Sequence, residues 1–137
     1  MMLATCCCDW KCLKELNLDI SICQNSQIAQ QKNIEVSIES IINRYLNNPI
    51  TQAVVIGGLE PMLQFEEVFE FIKQFRQYTN DDIVIYTGYY PEEIKDKIEQ
   101  LKQYKNIIVK FGRYIPNRNK RFDNVLGIWL ASDNQFA

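Results

Sequence analysis

Histidine is absent from the 137 residues. Its absence removes imidazole-based zinc sites, serine triads and any general acid or base built on that ring. Cysteine is missing after Cys23, although five cysteines stand between Cys6 and that point. No apolar run approaches the ~20 residues that cross a bilayer. The opening Met1-Met2-Leu3-Ala4-Thr5 also lacks the charged and apolar regions of a signal peptide, so a cytoplasmic protein without membrane contact is expected. A basic excess is lacking as well: the formal charge of -2 disfavours a nucleic-acid footprint. The local cluster Arg113, Arg118, Lys120 and Arg121 reads as a solvated basic loop.

What is present suffices for one core. A hydrophobic fraction of 47% over this length predicts a single domain spanning 1–137, with no linker or low-complexity segment. Met2 to Thr5 reads as a first strand that delivers the chain into the cysteines. Ile38, Ile41, Ile42, Tyr45 and Leu46 recur at helical spacing, with Ser37 placed as a cap and Asn47-Asn48-Pro49 as a stop. Ala53-Val54-Val55-Ile56 then forms a continuous apolar run ending in Gly57-Gly58, as expected of a strand buried on both faces.

The unit repeats. Phe65, Val68, Phe69, Ile72 and Phe75 form a helical stripe before the strand Ile83-Val84-Ile85-Tyr86, and Ile94, Ile98 and Leu101 form another before Ile107-Ile108-Val109. Pro91-Glu92-Glu93 suits a first helical turn, and Asn124 to Leu130 is expected to supply a last strand. Alternation at about 25 to 30 residues predicts an α/β fold, a mostly parallel sheet of about five strands resembling part of a β/α barrel. Ligands in such folds bind beyond the carboxyl ends of the strands, where the unusual loops gather here.

The crowding of cysteines looks like a site. A disulfide framework would spread its bridges, and adjacent Cys6-Cys7-Cys8 cannot pair with one another without strain. Cys8-Asp9-Trp10-Lys11-Cys12 sets two thiols four positions apart, and Cys23 follows, with Gln24-Asn25 after it. Soft thiolates suit iron–sulfur clusters or zinc, and spacing alone leaves both open beside free structural thiols.

Four segments in order resemble the radical S-adenosylmethionine enzymes, most closely the small activating proteins of anaerobic ribonucleotide reductase. Cys8, Cys12 and Cys23 with Asn25 resemble the family's three-cysteine loop, and Gly57, Gly58, Glu60 and Pro61 its glycine-glycine-acid-proline segment. Tyr86-Thr87-Gly88-Tyr89 is similar to a YTGY strand end, and Ser132-Asp133-Asn134-Gln135 to the final Ser-x-Asn-Gln element, preceded by the turn Lys110 to Tyr114. The resemblance implies a 4Fe-4S cluster held by Cys8, Cys12 and Cys23, with one iron open to S-adenosyl-L-methionine. It implies Glu60, Gly57 and Gly58 near the methionine ammonium, Thr87, Gly88 and Asn134 along the adenosine side, and Asn25 supporting the cluster loop. It further implies an oxidoreductase that generates a 5′-deoxyadenosyl radical to install a glycyl radical on a partner enzyme, an anaerobic ribonucleotide reductase, using an external electron donor. A different substrate, or a non-enzymatic cluster- or zinc-binding module, are the alternatives.

The chain departs from the family pattern in three places. Ten residues, Leu13 to Ile22, separate the second cysteine from the third, and a short helical excursion is expected to return Cys23 to the site. Leu59 is an extra residue before Glu60, and Cys6 and Cys7 compete with Cys8 as first ligand.

Overall fold

The computed structural model describes residues 1–137. Strands β1 (Met2–Thr5), β2 (Ala53–Gly58), β3 (Asp82–Tyr86) and β4 (Ile107–Lys110) form one parallel sheet in sequential order. Leu3, Ile56, Ile85 and Val109 lie side by side across it. Five helices precede or connect these strands: α1 (Lys11–Leu16), α2 (Ser26–Ala29), α3 (Ile38–Leu46), α4 (Phe65–Phe75) and α5 (Lys95–Leu101). Ser37 caps α3 as expected, its hydroxyl accepting from the Ser40 N–H at 3.2 Å.

One face of the sheet carries the core. Val54, Ile56, Ile83 and Ile85 pack against Ile42 and Tyr45 of α3 and against Val68, Phe71, Ile72 and Phe75 of α4. Burying each such side chain contributes roughly 1.5–3 kcal/mol. The other row, Val55, Val84 and Ile108, is only half-buried, and Met2 beside it is exposed. The expectation of strands buried on both faces is therefore corrected: every large helix lies on the same side. Sequential strand order with helices on one side is the arrangement of an arc of β/α barrel.

The expected fifth strand does not join this sheet. Ile128–Leu130 (β6) pairs antiparallel with Arg121–Asp123 (β5) across a turn where Gly127 takes φ +67°. Three-residue strands with only Asp123 and Leu130 buried have little to offer the main core. The place beside the end of β4 goes instead to Phe136, which bridges Phe111.

Candidate metal centre

Four loops, one after each strand, meet at the carboxyl edge of the sheet. The first leaves β1 and is tied at once to the loop after β2: the Cys6 N–H donates to Gln64 Oε1, and the Glu60 N–H to the Cys7 carbonyl, both at 2.7 Å. Trp10 then takes a left-handed conformation, φ +58°, which turns the chain into α1 and aims its own N–H at Cys8 Sγ, 3.3 Å away. Helix α1 carries Cys12 in its first turn and ends at Asn17, again left-handed. A 3-10 turn at Ile20–Ile22, capped by Asp19, brings the chain to Cys23. The ten-residue insertion is thus a helix and a turn; the charge of Cys12 reaches Cys8, and that of Cys23 reaches Cys12.

Glu60 joins the second and third loops. Its carboxylate is buried and accepts from Thr87 Oγ1 at 2.7 Å, the Gly88 N–H at 2.8 Å and the Met62 N–H at 3.0 Å. Burial raises its pKa, against the lowering by those three donors. A carboxylate offers about four acceptor positions, so Oε2, bonded only to Gly88, keeps one for a further donor. Gly58 is required below: at φ +85°, a Cβ there would stand 3.1 Å from both Cα and Cβ of Ala4.

A cleft opens between these loops, lined by Cys8, Cys12, Glu60, Gly88, Tyr89 and Arg113, with Asp9 and Lys11 at its side. Charged pairs border it. The Tyr89 hydroxyl donates to Asp9 at 2.6 Å, and Lys11 pairs with Glu93. Arg113, only 5% exposed, donates twice to Glu93 and sits over the Tyr90 ring, 5.0 Å from its centre. Its Nε lies 2.9 Å from a Glu15 carboxylate oxygen of α1, but off the N–H direction, so this is a charge contact without a hydrogen bond. Arg113 is therefore no part of a solvated basic loop; Arg118, Lys120 and Arg121 are exposed, as expected.

The thiols are poised for a soft acceptor. Burial pushes Cys8 up to about 11, aided by the charges of Cys12, Asp9 and Glu60 and opposed by the Trp10 N–H. Cys12 is raised as well, by burial first and by Cys23 second, with Arg113 acting the other way. Binding a metal group must release these protons, which couples occupancy to pH. No three Cys, Asp or Glu side chains are close enough to share one ion. The softness of the thiols suits iron–sulfur chemistry.

Of the residues expected from sequence, Cys8, Cys12, Glu60 and Gly88 line one cleft. Thr87 joins them through Glu60, and Cys23 is near enough for its charge to reach Cys12. Gly57 and Gly58 end β2, packed against Tyr86, Met2 and Ala4. Asn134 stands one step away, its amide nitrogen donating to Tyr90 Oη at 2.9 Å and the Arg113 carbonyl at 2.8 Å. Its Oδ1 is buried with no partner. Asn25 opens α2 without a side-chain capping bond and does not line the cleft. Sequence reasoning gave no site role to Asp9, Lys11, Glu93 and Arg113; only their places inside or beside the motifs could have signalled them. A larger groove between α3 and α4, lined by Glu39, Asn43, Gln74 and Gln77 among others, holds no strand-end residue.

Helices are all short, and none is long and apolar enough to cross a membrane. A family model described as a 4Fe-4S single cluster domain matches residues 2–136. No curated protein and no solved structure matches the chain.

Proposed function

The chain belongs to the 4Fe-4S single cluster domain family, and on that premise we propose that it is a radical S-adenosylmethionine protein. Its role in this reading is to cleave S-adenosylmethionine reductively and to install a glycyl radical on an anaerobic ribonucleotide reductase, with a separate protein or small molecule donating the electron. The observation that carries the reading is the meeting of Cys8 and Cys12 with Glu60 and Gly88 in one cleft beyond the carboxyl ends of parallel strands.

When bound, the cluster would supply the single electron that reductive cleavage of S-adenosylmethionine requires. The chain's own residues bind and orient. Cys8, Cys12 and Cys23 serve as the three thiolates, leaving one coordination position open. The free acceptor position on Glu60 Oε2 faces the methionine ammonium, beside the backbone of Gly57 and Gly58. Thr87 and Gly88 border the adenosine, and the unpartnered Asn134 Oδ1 accepts from a ribose hydroxyl. Asn25 steadies the return of the chain from Cys23. The bordering set of ion pairs keeps water from a reactive species.

The test is 5′-deoxyadenosine formation by anaerobically reconstituted protein given S-adenosylmethionine and a strong one-electron reductant, beside Cys12→Ala. Product from the parent protein and none from the variant is expected. A protein that carries four irons and makes no product overturns the enzymatic reading, and one that takes up zinc in place of iron overturns the cluster itself.

A further inference from the structure

Two thiols stay outside the cleft. Cys6 and Cys7 are exposed, and their sulfurs lie 3.4 Å apart. Neither lines the space that Cys8 and Cys12 face. Their backbone is held from both ends, by Gln64 Oε1 on the Cys6 N–H and by the Glu60 N–H on the Cys7 carbonyl.

We propose that Cys6 and Cys7 form a second, independent binding site, a chelating dithiol for a thiophilic acceptor of the trivalent arsenical class. Two adjacent soft donors select a soft acceptor. Their bite selects its geometry: with bonds to sulfur of ~2.3 Å, a 3.4 Å separation sets an angle of about 95° at the bound atom. Tetrahedral zinc opens that angle to about 109° and draws the sulfurs to about 3.8 Å. A linear two-coordinate ion would drive them farther apart. A pyramidal three-coordinate centre takes the narrow angle.

The direct alternative, a bond between the two sulfurs, is disfavoured because neighbouring Cα atoms are closer than disulfide geometry prefers. An inserted atom relieves that constraint. The step needs no oxidant: two arsenic–oxygen bonds of an arsonous acid break and two arsenic–sulfur bonds form. Each departing hydroxyl leaves as water with one thiol proton, and arsenic stays trivalent. The tethered backbone lowers the ordering cost of closing the chelate.

The probe is phenylarsine oxide, which hydrates to such an acid. A Cys8→Ser, Cys12→Ser, Cys23→Ser triple variant, checked for fold by circular dichroism, is expected to retain one equivalent per chain. Adding Cys6→Ser or Cys7→Ser should weaken retention about a hundredfold, because one thiol has no chelate. Retention unchanged by those substitutions, or absent from the folded triple variant, overturns the proposal. Peptide mapping of the cluster-loaded parent gives a second reading that does not depend on how the variant folds. An adduct bridging Cys6 and Cys7 supports an independent site, and its absence while the iron-free protein accepts the probe overturns that independence.

Discussion

Arg113 grips Glu93 with both arms of its guanidinium, Nη1 to Oε2 at 2.8 Å and Nη2 to Oε1 at 2.6 Å. The same carboxylate takes Lys11 from the cysteine loop and the Tyr90 N–H from its own loop. One buried cation and one carboxylate therefore join the segments that follow β1, β3 and β4. Planar bidentate pairing of this kind fixes direction as well as distance, which a lysine could not do. The thiols of Cys8 and Cys12 are held on that frame.

Removing the cation should be costly. Arg113→Leu leaves the Glu93 carboxylate without its main partner in a setting where only 21% of its side chain meets solvent. Loss of one member of a largely enclosed pair costs about 2–4 kcal/mol, discounted for the remaining exposure. Lys102→Leu breaks an ion pair whose side chains are 65% and 68% exposed and should change stability by less than about 0.5 kcal/mol. Urea unfolding of the two variants compares them directly, and equal effects would show that the clasp contributes nothing special.

The same contact sets a pH dependence. The Arg113 hydrogen bonds, followed by the Lys11 contact, hold the Glu93 carboxyl down to about 2. Its folded value lies below its unfolded value of about 4.3. The unfolded chain then binds more protons in between, so this stability is present above about pH 4.3 and is lost as pH falls towards 2. Melting temperature recorded from pH 6 to 2 should fall less steeply in Glu93→Gln than in the parent. Parallel curves would contradict the assignment.

Gly58 and Gly127 both take positive φ, yet they predict different outcomes. Gly58→Ala meets Ala4 at 3.1 Å and should destabilise by about 3 kcal/mol, combining left-handed strain with overpacking at the β1–β2 junction. Gly127→Ala, at φ +67° with nothing within 4 Å, carries the backbone strain alone, about 1 kcal/mol. Thermal unfolding of the pair separates the two causes. A loss at Gly127 as large as that at Gly58 would mean that contact with Ala4 is not the limiting feature.

Local pattern determined much of this protein. Apolar spacing at Ile38 to Leu46 and Phe65 to Phe75, the cap at Ser37 and the glycines closing β2 are decided by neighbours within a few residues, so they could be read in order along the chain. The cysteine loop and the strand-end segments were legible for the same reason, and so was the cleft they would share, because parallel strands end on one edge. Pairing and burial were decided elsewhere. Ile128–Leu130 looked like a further strand, but which edge it joins depends on what already covers β4, and Phe136 is there. Arg113 looked like one more exposed base in a basic stretch. Its burial depends on Glu15 arriving from α1 and on Tyr90 and Glu93 arriving from the loop after β3, and long-range electrostatic pairing leaves no periodic trace in sequence.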